Sequence, residues 1–136
     1  MSNTTEILKN IMEVKNQFVK EHTGMILIPE VDMNFILELP EDNKIDIMMQ
    51  LRKNIYYLKV GDTLCDGELC PHCIYANIVG IVCEDCPYGK NNGICNKYEL
   101  DNLFGKIYDS LGGRNIYKLI YIPGILDALN SALYSY

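Results

Sequence analysis

The residues of this chain that can do chemistry are its six cysteines, spaced Cys65-x4-Cys70-x2-Cys73-x9-Cys83-x2-Cys86-x8-Cys95. A Cys-x-x-Cys turn sets two thiolates side by side. Two such turns facing one another complete a tetrahedron of sulfur around Zn²⁺. The nine-residue link Ile74–Val82 offers Asn77 and Gly80 for a chain reversal, and an arm of about four extended residues reaches roughly 13 Å, so the two turns can meet. The link is shorter than the roughly 15–20 residues common in zinc ribbons. Cys70, Cys73, Cys83 and Cys86 are the expected ligands. Cys95, and more remotely Cys65, can replace one of them; otherwise both read as small buried hydrophobes. Such a site contributes on the order of 10 kcal/mol to folding and, with four thiolates, leaves no position open for a reacting water. An iron–sulfur cluster is the alternative cofactor, although the Cys-x-x-Cys-x-x-Cys run is absent.

His72 lies inside the first Cys-x-x-Cys turn, where a side chain normally points away from the metal, so it reads as exposed or as a partner of the ligands. His22 reads as a cation at a helix C-terminus. "CPHC" at Cys70–Cys73 resembles the redox motif of thioredoxin-superfamily thiol oxidases. That resemblance implies a low-pKa first thiol at a helix N-terminus after a buried strand. Here the preceding stretch is turn-rich, and Asp66 and Glu68 would raise a thiol pKa. The larger pattern of Cys70, Cys73, Cys83, Cys86, Pro87, Gly93 and Cys95 is similar to a cysteine cluster found in small uncharacterised phage and prophage proteins. The likeness covers about 26 of 136 residues; it implies a phage-like origin and a role for Cys95, and no activity.

The elements that must position these residues follow from periodicity. Ile7, Ile11, Val14 and Phe18 predict a helix over 3–21, with Asn3 and Glu6 as a capping box and Gly24 as its stop. Met25–Ile28 and Met33–Leu39 read as strands around a "PEVD" turn. Pro40 opens a second helix through Lys59, carried by Ile45, Met48, Leu51, Ile55 and Leu58. A third helix over 97–111 is capped by Asn96 and Glu99. Asn115–Ile122 reads as a third strand, and "PGILDALNSALYSY" as a C-terminal helix. The expected fold class is α+β: a single domain over 1–136 with about four helices and three strands, and a zinc-knuckle insert at 62–96 between helices two and three.

Composition narrows the function. Hydrophobic residues make up 49% of the chain, which is globular, and the net charge is −6. Glu30, Asp32, Glu38, Glu41, Asp42 and Asp46 are opposed only by Lys44 in that stretch, which reads as a solvated acidic face. Nucleic-acid binding is disfavoured because no basic stripe is visible. No run approaches the roughly 18 apolar residues of a membrane span, and the N-terminus has no signal-peptide pattern. The expected compartment is therefore the reducing cytoplasm, where disulfides are rare. No phosphate loop, catalytic triad or zinc-protease helix is present. Tyr56, Tyr57, Tyr134 and Tyr136 are candidates for a contact surface.

The expectation is a non-enzymatic, zinc-stabilised acidic interaction protein. In its concrete form it is a phage-encoded inhibitor that docks on a basic, nucleic-acid-binding surface of a host protein. The alternatives are a zinc-ribbon nucleic-acid binder, with Lys90, Lys97, Lys106, Arg114 and Lys118 as its patch, and a thiol-redox or iron–sulfur protein.

Overall fold

The computed structural model describes residues 3–59, 69–82, 85–96, 99–111 and 122–134, excepting the side chains of Leu58 and Lys59. Among these residues every regular element is a helix: α1 (Asn3–Thr23), α2 (Glu30–Leu37), α3 (Glu41–Lys59), α4 (Pro71–Val79), α5 (Pro87–Asn92), α6 (Leu103–Ser110) and α7 (Ile125–Tyr134). The α+β expectation of about four helices and three strands is corrected: among the described residues the fold is all-helical. The strand expected at Asn115–Ile122 falls outside the described residues except for Ile122, which is a bend.

Helix α1 is the central element and packs against α7, α3, α2 and α6. That position explains why its buried face is wider than one stripe. Ile7, Leu8, Ile11, Met12, Lys15 and Val19 are all buried, while Val14 and Phe18 are half-buried. Gly24 ends it in the left-handed region, at φ 75°, with its N–H donated to the Lys20 carbonyl at 2.8 Å. Leu8, Met12, Val19, Ile36, Ile47, Ile107, Tyr108 and Leu133 are fully inaccessible and form the centre of the core. Burying an apolar side chain of this kind is worth about 1.5–3 kcal/mol.

Both misread strands have a local physical cause. In the Met25–Ile28 segment the Asn16 side chain does what a neighbouring strand would do. Its Oδ1 accepts the Ile28 N–H at 2.7 Å and its Nδ2 donates to the Ile28 carbonyl at 2.9 Å. The buried backbone is satisfied without a sheet. In the second segment Pro29 is the N-cap of α2 and Glu30 and Asp32 occupy its first turn. "PEVD" is therefore a helix start and not a hairpin turn. Asp32 and Ile36, four residues apart, are its buried positions.

The third expected helix is shortened from its N-terminal side. Asn102, not the Asn96–Glu99 pair, caps α6, with its Oδ1 accepting the Gly105 N–H at 2.7 Å. Its Nδ2 donates to the Asn96 carbonyl at 3.1 Å, holding the preceding loop against the helix. That loop lies so close that a Cβ on Gly105 would stand 1.8 Å from the Glu99 carbonyl oxygen. At Gly24 the same Cβ would meet nothing within 4 Å. Gly105→Ala is therefore expected to lose at least about 2 kcal/mol by displacing backbone. Gly24→Ala is expected to lose about 1 kcal/mol from backbone conformation alone. Chemical denaturation of the two variants checks the order; equal losses would contradict the packing at α6.

Candidate functional site

The cysteine segment is built as helices. Cys70 is the N-cap of α4 and Pro71 its first residue; Cys86 is the N-cap of α5 and Pro87 its first residue. A proline pushes the residue before it into extended backbone and is itself pre-set for a first helical turn. Cys70 at φ −101°, ψ 118° and Cys86 at φ −63°, ψ 125° follow that rule. Each begins the ladder through its carbonyl, which accepts from the N–H of Ile74 at 3.0 Å and of Lys90 at 2.9 Å respectively. Neither thiol makes a side-chain cap bond, which leaves both sulfurs available to other partners. The repeated unit is thus Cys-Pro-helix, laid over the first cysteine of one pair and the second of the other. Helix α4 packs on α3 and α5 on α2.

A buried junction holds these helices. Asp32 of α2 is wholly inaccessible. Its backbone carbonyl accepts from His72 Nε2 at 2.8 Å, and its carboxylate oxygens accept from Asn91 Nδ2 and Asn92 Nδ2, each at 2.8 Å. The His72 ring is also fully buried. It stacks near Phe35, at 6.4 Å between centroids, and meets Tyr88 at 5.4 Å. Because a carbonyl can only accept, Nε2 carries the ring proton. Nδ1 makes no hydrogen bond among the described residues. The Tyr88 hydroxyl donates to the Leu27 carbonyl at 2.5 Å, and burial pushes its pKa up.

The four described cysteines share one electrostatic neighbourhood. The Cys70 thiol is drawn well below its ordinary pKa. The hydrogen bond from Cys73 does most of this, burial opposes it, and the nearby His72 ring and the Lys15 charge add to it. The Cys73 thiol is pushed up, first by Cys70, then by burial and the proximity of Cys95 and Cys86. His72 is lowered by burial but raised overall by Cys70 and by its bond to Asp32. Cys70, Cys73 and Cys86 are outside any disulfide.

Of the expected zinc ligands, Cys70, Cys73 and Cys86 lie among the described residues, as does Cys95, and Cys70, Cys86 and Cys95 each act electrostatically on Cys73. Cys83 and Cys65 lie outside the described residues. Among the described residues no three ligand-type side chains stand close enough to hold a metal ion. The donor set suits zinc by type, being soft sulfur beside buried positive charge. Cys70, Cys73 and Cys86 would hold the ion with a fourth thiolate from Cys83 or Cys95.

Two buried groups were invisible to spacing arguments. Asp32 belongs to the interior and not to the acidic face, and its partners are about sixty residues away. Lys15 of α1, only 6% exposed, donates from Nζ to the Leu69 carbonyl at 2.8 Å, next to Cys70. Its sole sequence signal is a lysine at a position where the helical period calls for an apolar residue. No protein-family model matches the chain, and no curated protein or solved structure matches it.

Asp32→Ala is expected to destabilise the protein by about 2 kcal/mol or more, because it strands the amides that its carboxylate accepts from. Asp46→Ala, at an exposed position, is expected to stay within about 0.5 kcal/mol of the parent. Denaturant midpoints of the two variants check this, and a silent Asp32→Ala would refute the junction.

Proposed function

We propose that this chain is a non-enzymatic interaction protein: a helical bundle with a zinc-stabilised thiol centre that docks through an acidic surface on a basic surface of a protein partner. The placement of Cys70 and Cys86 at the N-caps of α4 and α5, with Cys73 in the first turn of α4, carries this reading. Thiols kept reduced and bound to a metal contribute to folding through that metal. The site of action is the cytoplasm, which keeps such thiols reduced. Among the described residues no helix is long and apolar enough to cross a membrane.

Surface charge supports the docking half of the reading. Glu30, Glu38, Glu41, Asp42 and Asp46 are exposed, as are Glu6, Glu13 and Glu21 on α1, whereas Lys15 and Lys44 are buried. The outside is thus more acidic than the composition alone conveys. Complementary charge speeds association and selects basic partners. The phage-like cysteine pattern makes a nucleic-acid-binding face of a host protein the concrete target. Tyr56, Tyr57 and Tyr134 are well exposed, with Arg52 4.8 Å above the Tyr134 ring. Aromatic and arginine side chains of this kind are enriched at protein contacts. The exposed lysines Lys20, Lys53, Lys90 and Lys106 sit on four different helices, a poor footprint for nucleic acid.

One observation favours a second reading, thiol–disulfide exchange: Cys70 caps a nine-residue helix with Cys73 in its first turn. In that chemistry the Cys70 thiolate attacks a substrate disulfide and expels one thiolate. The Cys73 thiol then loses its proton and displaces Cys70's new partner. The products are a Cys70–Cys73 disulfide and a reduced substrate dithiol.

Elemental analysis with a thiol count, on protein purified under reducing conditions without added metal, tests both. The expected result is about one zinc per chain, with strong chelation lowering the helical melting temperature. Metal-free protein that is equally folded would overturn the zinc centre. A Cys70–Cys73 disulfide in that sample would select thiol exchange, and iron with sulfide would select a cluster.

A further inference from the structure

Helices α1 and α2 leave a groove of about 580 Å³ between them, on the side away from the core. Its two ends are fixed by hydrogen bonds. At one end Lys44 donates to Thr5 Oγ1 and to the Leu37 carbonyl, which brings the first turn of α1 to the last turn of α2. At the other end Asn16 holds both backbone polar groups of Ile28, just ahead of α2. The helices therefore run antiparallel along the groove. Its α1 wall, from Thr5 to Asn16, is about 17 Å long, or three helical turns. The floor is apolar. Met33 and Leu37 are half-buried there, and Ile26 is 49% exposed on backbone that Asn16 pins two residues further on. The rim is polar and unengaged: the side chains of Lys9, Glu13, Glu30 and Asn34 make no hydrogen bond or ion pair among the described residues. Glu13 and Glu30 stand on opposite walls toward the Asn16 end, and Lys9, one turn back along α1, is the cation that opposes them.

We infer that this groove seats a basic amphipathic helix of the protein partner. The inference rests on the acidic docking reading above and gives it a place; it does not involve the thiols. A floor three turns long matches apolar side chains at i, i+3 or i+4, and i+7 of a bound helix. Met33 is unbranched and adapts to whatever side chain arrives. Two carboxylates without partners, on opposite walls, call for lysine or arginine on both flanks of that helix, and the Asn34 amide can donate or accept beside them. Glu13, Ile26, Glu30 and Asn34 are all exposed, so the groove is open along its length. That shape suits a peptide helix, with one face in water, better than a small molecule, which needs most of its surface enclosed. Asp42 and Asp46 of α3 lie outside the groove, where their charge steers a basic partner without seating it.

The test is binding of the whole chain, at low salt, to a fluorescein-labelled synthetic helix with leucines at i, i+3, i+4 and i+7 and lysines on both flanks. One control peptide carries glutamate in place of the lysines, and the other serine in place of the leucines. The parent is expected to bind the first peptide and to bind each control at least about tenfold more weakly. Glu13→Gln combined with Glu30→Gln is expected to weaken binding about 2- to 30-fold, the range of two exposed charge pairs. Ile26→Ala is expected to weaken it about tenfold, and Lys9→Gln to match or exceed the parent. Asp42→Asn combined with Asp46→Asn removes the same charge elsewhere and is expected to weaken binding less than the groove pair does. Equal weakening by the two pairs would overturn the inference and leave acidic docking standing, as would parent-like binding by Ile26→Ala. Equal binding of either control peptide would overturn it too, the occupant then being not basic or not amphipathic. If Ile26→Ala does not fold, the two charge pairs decide. A parent that binds no basic peptide would overturn the docking reading and this inference together.

Discussion

The arrangement of the thiols depends on one buried residue of α2. Asp32 receives His72 through its backbone carbonyl and Asn91 and Asn92 through its carboxylate. The two ends of a single residue therefore hold two helices that are separate in sequence, and those helices bear Cys70 and Cys86 at their N-caps. A carboxylate is tolerated inside a protein only when its oxygens are answered by donors, and the paired asparagines answer both. The cost of burying the charge is in this way converted into geometry. A loop carrying cysteines would close on an ion only after losing its conformational freedom. Here the protein's own hydrogen bonds bear much of that ordering.

The same economy governs the basic side chains. Lys44 donates to the Leu37 carbonyl at the C-terminus of α2, and Arg52 reaches the Leu133 carbonyl near the end of α7 at 2.7 Å. Helix C-termini end in carbonyls without intrahelical partners and carry negative partial charge, so cations are the natural groups to close them. Lys44 also meets Thr5 Oγ1 at 2.6 Å, which ties α3 to α1. Lys44 is drawn inward in closing the end of α2, while Glu30, Glu38, Glu41, Asp42 and Asp46 stay outside. The acidic surface is then a by-product of how a bundle of short helices closes its ends, as well as a feature a basic partner can read.

What the sequence made legible was whatever repeats locally. Helices α1, α3 and α7 announce themselves through apolar spacing near 3.6, and Gly24 marks a true helix end. The two strands failed because a short apolar run has the same composition in a strand, a helix or a buried connection. The Met25–Ile28 run was decided by the Asn16 side chain, twelve residues away, and the Met33–Leu39 run by a proline acting as a cap. The spacing of the cysteines was legible, but not the helices that two of them start, because a turn-like knuckle and a Cys-Pro helix start share the same letters. Asp32 and Lys15 were illegible for a different reason. Each looks like an ordinary surface charge, and its meaning lies in partners forty to sixty residues distant.

The Cys-Pro start of α4 also bears on why the centre should be anionic at all. A thiol in the N-cap of a nine-residue helix sits at the positive end of the peptide dipoles, which favours its thiolate. Cys73, one turn further, donates a hydrogen bond to that sulfur and is itself disfavoured as an anion by its neighbours. The first cysteine of the pair is therefore prepared as a ligand or nucleophile before any ion or substrate arrives, and the second is held in reserve. A doubly charged ion at the sulfurs would offset the repulsion among them. Of the pair, Cys70 is the thiol favoured as an anion, with the Lys15 charge and the His72 ring acting in the same sense, and Cys73 is disfavoured beside it. The low-pKa thiol of Cys70 at a helix N-cap serves the ligand reading and the nucleophile reading alike.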